Sequence, residues 1–219
     1  MSEAKKRRVS NQVSSSTYKL TYFDGRGYAE VIRYIFTVAD QKYEDNRITE
    51  EEWFKMKKDT PFHQIPILEV DGVTLSQTKA IARFLARRFN LAGENEIDQA
   101  KVDMIVNCCD DMVAPQIQNF GLKGDKWKEF EEKYTVKQLP SALARLEKLL
   151  VANKDGDGYF VGDKMTWADL YFAQLITWAE PKELEVKWDD APKLKALKER
   201  VESHPKLAEW IKTRPKTEY

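Results

Sequence analysis

Cysteine and histidine are nearly missing from this chain of 219 residues, which has two of each. The cysteines, Cys108 and Cys109, are adjacent and do not easily bridge one another, so no disulfide framework is implied. A reducing compartment suits such a sequence. His63 and His204 are too few and too far apart in sequence to suggest a zinc site. No N-x-[ST] acceptor occurs, nor any stretch of about 18 apolar residues that would indicate a membrane span. Excess charge is missing as well. The 36 basic and 36 acidic side chains cancel, removing the global field expected of a nucleic-acid binder. Neither a Ser/His/Asp nucleophile pattern nor a Gly-rich phosphate loop is present.

What is present falls into three parts. Residues 1–16, MSEAKKRRVSNQVSSS, are polar and lack the apolar segment of a signal peptide, so a disordered tail and a cytoplasmic location are expected. Lys5-Lys6-Arg7-Arg8 reads as a solvated run or as an import or phosphate patch. Residues 17–92 alternate strands and helices. Tyr18 to Phe23 alternates as a first strand, and Asp24-Gly25-Arg26-Gly27 breaks it. A helix is predicted over Ala29–Ala39 and a polar edge strand over Tyr43 to Ile48. The charged stretch Glu50 to Lys58 carries Trp53 as its one large apolar residue. Asn90 to Glu96 reads as a linker, and residues 97–219 carry helical patterns with essentially no strand signals. The helices are expected over Val102–Val113, Glu129–Leu139, Ala142–Ala152, Trp167–Trp178, Leu194–Val201 and Lys206–Thr213, punctuated by Pro115, Pro140, Pro181, Pro192 and Pro205. The expected fold is thus an α/β thioredoxin-like N-terminal domain followed by an all-α domain. The loop after the first strand lacks the C-x-x-C of a redox thioredoxin, which excludes thiol–disulfide chemistry on the protein itself.

The most informative stretch is PFHQIPILEVDGVTLSQTKAIARFL, Pro61 to Leu85. Ile67–Val70 and Val73–Leu75 read as a hairpin around Asp71-Gly72. Ser76 stands where a helix N-cap is expected, ahead of Ala80, Ile81, Phe84 and Leu85 at helical spacing. Pro66 has no backbone donor, and its peptide bond is a candidate for cis. The stem before it then keeps its N–H and C=O free, while Gln77 and Thr78 at a helix N-terminus are suited to a carboxylate. On these residues alone, both an ordinary hairpin with a capped helix and a berth for a small extended peptide remain open.

Three further patterns stand out. Thr166 and Asp169 form a capping box, with Met165 and Leu170 as its hydrophobic staple, and their role is structural. The calcium-like opening Asn153 to Gly158 places Lys164 where the bidentate Glu belongs, which argues against an ion there. Asn107, Asp110 and Asp111 are spaced for one helix face, so an oxygen-ligated Mg²⁺ at a subunit interface is one reading.

The segment IPILEVDG, followed by L-x-Q-[ST]-x-AIARFLA, resembles the glutathione-binding core of the cytosolic glutathione S-transferases. The resemblance covers nearly the whole chain after residue 16. Leu20-Thr21-Tyr22-Phe23 is similar to the strand end at which a Sigma-class tyrosine donates its hydroxyl to the glutathione sulfur. The resemblance implies Tyr22 as the catalytic residue. Trp53 and Lys57 then meet the glycine end of glutathione, and His63, Gln64, Ile65 and Pro66 the cysteinyl segment. Gln77 and Thr78 hold the γ-glutamyl group, and Asp111 reaches the neighbouring subunit's glutathione in a homodimer. Phe23, Tyr28 and Val113 are expected in the electrophile pocket. Tyr28 departs from vertebrate Sigma members, which carry arginine there, so a weaker depression of the thiol pKa is expected. The implied activity is conjugation of glutathione, as co-substrate, to soft hydrophobic electrophiles, with no cofactor or metal. Glutathione-dependent prostaglandin isomerisation and a non-catalytic crystallin-like relative are the alternatives, and the absence of a long insertion between Asp111 and Lys133 favours an enzyme.

Overall fold

A computed structural model describes residues 16–119, 121–179, 186 and 188–217. The expected tail lies outside these residues except for Ser16, whose hydroxyl accepts a hydrogen bond from Arg88. Pro181 lies outside them too.

Four strands form one sheet: β1 (Tyr18–Phe23), β2 (Glu44–Ile48), β3 (Ile67–Val70) and β4 (Val73–Ser76), in the order β2-β1-β3-β4. β1 runs parallel to β2 and antiparallel to β3. Parallel pairing requires a crossover, and α1 (Glu30–Val38) supplies it. Asp71 and Gly72 both adopt positive φ, 50° and 82°, the backbone that a tight hairpin between β3 and β4 demands. Polar β2 takes an edge, as its composition suggested. Leu20 and Leu68 on the sheet are fully buried. So are Ile32, Ile35 and Phe36 of α1, and Ile81 and Leu85 of α3 (Thr78–Arg88).

The helical domain contains α4 (Glu96–Gln118), α5 (Asp125–Lys133), α6 (Leu139–Val151), α7 (Trp167–Ala179), α8 (Pro192–Glu202) and α9 (Pro205–Thr213). α2 (Glu50–Met56) belongs to the N-terminal domain. α7 is apolar around much of its circumference because it packs against α1, α4 and α8 at once.

Local expectations were corrected in three places. Ser76 ends β4 instead of capping α3. The residue before the helix is Gln77, at φ 74° and without a side-chain cap bond. α4 begins six residues before Val102 because Asn95 accepts a hydrogen bond from the Asp98 N–H at 3.0 Å, and it continues past Pro115. Pro140 does not separate two helices, since a π-helical segment over Tyr134–Gln138 carries the chain from α5 into α6 and leaves Pro140 in the first turn.

Half of the expected capping box forms around Thr166: Asp169 caps the Thr166 N–H, while the Asp169 N–H donates to the Thr166 carbonyl at 3.1 Å and the Thr166 hydroxyl acts as a donor. Asp169, fully buried, accepts from the Thr166 N–H at 2.7 Å and hydroxyl at 2.9 Å, and from the Phe160 N–H at 2.8 Å. Asp169→Ala strands two buried backbone donors. It is therefore expected to lower stability by about 2–4 kcal/mol, read as a lower urea midpoint.

Candidate functional site

A cavity of about 720 Å³ opens between the two domains. The thioredoxin-like side brings Phe23 and Tyr28 from the region after β1, and Trp53 and Lys57 from α2 and the turn after it. It also brings His63, Gln64, Ile65 and Pro66 ahead of β3, and Ser76, Gln77, Thr78 and Lys79 at the start of α3. The helical side brings Asp110, Val113, Ala114, Ile117 and Gln118 from α4, and Tyr171 and Leu175 from α7.

Each part has a local cause. Thr49 and Glu52 close a capping box that starts α2. Trp53 is then buried edge-on to Phe23, with ring centroids 6.3 Å apart and the Lys57 ammonium 5.8 Å from the indole centroid. The Ile65–Pro66 peptide bond is cis. Sheet pairing begins only at Ile67, and among the described residues no backbone partner takes the Ile65 N–H or C=O. The open amides of the first turn of α3 face the cavity with the positive end of the helix dipole. Beside them the Ser76 hydroxyl is buried without a hydrogen-bond partner among the described residues, and Gln77 Nε2 donates to Gln64 Oε1 at 2.9 Å.

Of the residues expected from the sequence, Phe23, Tyr28, Trp53, Lys57, His63, Gln64, Ile65, Pro66, Gln77, Thr78 and Val113 meet at this cavity, whereas Tyr22 and Asp111 do not. The Tyr22 hydroxyl is turned beneath the loop after β1, where it accepts from the Tyr28 N–H at 3.3 Å. Its ring borders a smaller hollow of about 370 Å³ with Phe23, Asp24 and Gly25, and Phe23 is common to both. Burial raises the Tyr22 pKa above its ordinary value, outweighing the Tyr28 N–H, which lowers it. The phenol is therefore a proton donor throughout the neutral range. Asp111 is exposed on α4, one residue, about 100° of helix rotation, from the inward-facing Asp110.

Asp110 was expected only as a metal ligand. It instead accepts hydrogen bonds from the Tyr171 hydroxyl and the Lys79 ammonium, and Lys79 also reaches Asn107 Oδ1 at 3.2 Å. A lysine thus holds the position considered for Mg²⁺, and among the described residues no cluster of three His, Cys, Asp or Glu is placed to hold a metal. Burial, followed by the bond to Asp110, raises the Tyr171 pKa strongly. Sequence reading missed Lys79, Ala114, Ile117, Gln118, Tyr171 and Leu175 as wall residues. Their signal was helical spacing: Asp110, Ala114 and Ile117 on α4, and Tyr171 and Leu175 one turn apart on α7.

The chain's similarities accord with this arrangement. Residues 18–87 match the family described as glutathione S-transferase, N-terminal domain, and residues 110–214 match glutathione S-transferase, C-terminal domain. The chain belongs to the glutathione S-transferase family. Within that family it is related to the Sigma class and is an enzyme. It is 43% identical over 202 residues to hematopoietic prostaglandin D synthase of Gallus gallus, covering 91% of this chain and 98% of the relative. It is 41% identical over 210 residues to glutathione S-transferase 1 of Ascaris suum, covering 92% and 98%. Among solved structures, rat hPGDS complexed with a quinoline superposes with a TM-score of 0.81 at 38% identity, covering 93% of this chain and 100% of that one.

Gly27 sits at φ 37°, and a Cβ there would lie 2.5 Å from the Tyr22 hydroxyl. Gly27→Ala is expected to cost about 1–3 kcal/mol through backbone strain alone. It should also push the Tyr22 ring aside, measured as lost thermal stability together with a changed tyrosine environment in near-ultraviolet circular dichroism.

Proposed function

We propose that the enzyme binds glutathione across the sheet-side wall of the cavity and uses its thiolate to isomerise a lipid endoperoxide of the prostaglandin type. The carrying observation is the cavity's division into two halves. One half has a cation at one end, Lys57, and a helix N-terminus at the other, with an unpaired strand stem between them. That arrangement suits a short peptide with a carboxylate at each end. The other half continues between Tyr28, Val113, Ile117 and Leu175 as a mainly apolar wall that suits a hydrophobic co-substrate.

In this reading Trp53 and Lys57 receive the glycine end, His63, Gln64, Ile65 and Pro66 the cysteinyl segment, and Gln77 and Thr78 the γ-glutamyl group. Tyr22 donates its hydroxyl proton to the sulfur while its oxygen accepts from the Tyr28 amide. The energetic need is modest. A free thiol has a pKa of about 8.5, and lowering it by about two units takes roughly 2.7 kcal/mol. One hydrogen bond to a charged group contributes about 1.5–3 kcal/mol. Tyr28 adds no cation where vertebrate Sigma members carry arginine, so the thiol should be less acidic here than in them.

The isomerisation consumes no glutathione. Thiolate attack on one endoperoxide oxygen forms an S–O bond and breaks the O–O bond, and the other oxygen leaves as an alkoxide that takes up a proton. Loss of the C–H proton beside the S–O oxygen then makes the carbonyl and returns the thiolate. The second reading, ranked first from the sequence alone, is conjugation to a soft electrophile, in which a C–S bond forms and glutathione is used up. The similarity to prostaglandin D synthases favours the first.

Both reactions are tested together by supplying prostaglandin H₂ or an aryl halide and counting free thiol. Product with constant thiol is expected from the endoperoxide. A stoichiometric loss of thiol with no isomer would leave conjugation as the activity. Tyr22→Phe should lower either rate about tenfold or more while glutathione binding is retained. Because the Tyr22 pKa is raised, the rate should rise through a single acid limb owed to the glutathione thiol, with no fall below about pH 10.

The same reading makes the enzyme a homodimer with Asp111, which faces away from its own chain's cavity, reaching the partner's glutathione. Light scattering should report a dimer, and Asp111→Asn should raise the glutathione KM about threefold to tenfold with little change in kcat. A monomer with wild-type KM in the variant would overturn it.

A further inference from the structure

Away from the cavity, a dense polar cluster links the C-terminal helix to the loop over Tyr22. Glu30 and Arg33, one turn apart on α1, are both buried, at 1% and 0% exposure. Glu30 Oε2 accepts from Arg33 Nη1 at 3.0 Å. Its Oε1 accepts from the Trp210 indole N–H at 2.9 Å and from Arg214 Nη1 at 2.8 Å. The same Arg214 nitrogen also donates to the Tyr34 hydroxyl at 3.0 Å.

The same Arg33 nitrogen grips the loop. Nη1 donates to the Gly25 carbonyl at 2.6 Å and to the Arg26 carbonyl at 3.4 Å, and Nε donates to Asp45 Oδ1 at 3.1 Å. The other Asp45 oxygen accepts from Arg47 Nε at 2.9 Å, and Arg47 Nη1 ends on Asp24 at 2.8 Å. Residues 24–26 are thus held by two arginines that share one carboxylate. Immediately beyond them lie Gly27, in contact range of the Tyr22 hydroxyl, and Tyr28, whose N–H donates to it.

Burying this many charges is costly, and apolar packing of similar volume would serve stability at least as well. One nitrogen, Arg33 Nη2, is buried without a hydrogen-bond partner among the described residues, so the network is not built for stability alone; what its many bonds add is a fixed geometry. An active-site hydrogen bond needs that, because its donor must be held to within about 0.5 Å.

We infer that Trp210 and Arg214 are positioning residues for Tyr22. By bonding one oxygen of Glu30 they fix the plane of its carboxylate, which aims Arg33 at the Gly25 and Arg26 carbonyls. The loop so held sets where the Tyr28 N–H and the Tyr22 hydroxyl lie. The C-terminal helix, far from the cavity in sequence and not among its lining residues, thereby contributes to thiol activation. The inference rests on Tyr22 as the donor to the glutathione sulfur.

The test compares the acid limb of kcat/KM, and the ultraviolet absorbance of bound thiolate against pH, across a set of full-length variants. Trp210→Phe and Arg214→Met keep apolar bulk while removing the donors to Glu30. Their limb is expected to move to higher pH, so that activity at neutral pH falls about threefold to tenfold and converges on wild type as pH rises. Arg214→Lys should retain most of the wild-type profile. Leu207→Ala, a buried α9 position outside the network, should lose stability without moving the limb. An unmoved limb in Trp210→Phe, the mildest change, overturns the inference whether or not Arg214→Met folds. A shift in Leu207→Ala as large as in Trp210→Phe also overturns it, since general loosening of α9 would then suffice. Tyr22→Phe separates the two levels. If it leaves the bound thiol unchanged, the reading of Tyr22 fails. If it shifts the thiol while the Trp210 and Arg214 variants do not, only the link to the C-terminal helix fails.

Discussion

The close approach of the Tyr22 hydroxyl to the backbone at Gly27 is the constraint around which the N-terminal half is arranged. The contact admits no side chain at residue 27, and Gly27 takes a positive φ there. The loop that makes it is short, follows directly from a core strand and turns into α1. Its carbonyls are therefore held from below by a buried arginine on that helix. A phenol in this setting is largely withdrawn from water, which keeps it protonated, and its orientation is set by a backbone amide. Such a group is suited to giving a hydrogen bond to an anion and poorly suited to acting as a base.

The cavity shows how the two domains divide the chemistry. The thioredoxin-like side offers backbone: an unpaired strand stem before β3 and the open first turn of α3. Backbone donors and acceptors are fixed by the fold and cannot relax, which suits the recognition of one invariant peptide. The helical side offers side chains at helical spacing on α4 and α7, mostly apolar, which can be exchanged without disturbing the sheet. Lys79, Asp110 and Tyr171 stand at the seam. Their mutual bonds neutralise charge where the polar and apolar halves meet.

Local sequence signals were legible where one short-range interaction dominates. The Asp71-Gly72 turn and the polar edge strand β2 were of this kind and were found where the residues placed them, and Asp169 bonds the Thr166 N–H as one half of the expected box. The signals misled where a competing interaction was stronger. Ser76 reads as a cap, yet the strand keeps it because β4 pairs with β3 through that residue. Pro115 and Pro140 read as breaks, yet the helices carry on, because packing of α4 and α6 against their neighbours outweighs one lost hydrogen bond.

By itself the sequence determined the thioredoxin-like and all-α halves and the hairpin, which follow from periodicity and turn chemistry. Pro66, Gln77 and Tyr22 stood out in it through the family resemblance. Only the tertiary structure decided that Asp110 and not Asp111 faces the cavity, and that Lys79 occupies the place considered for a metal. It alone also joined Trp210, in the last helix, and Arg214, just after it, to the loop over Tyr22. The physical reason is common to all three. Helix rotation, charge pairing and burial between distant segments are fixed by how elements pack, and sequence spacing carries no record of that packing.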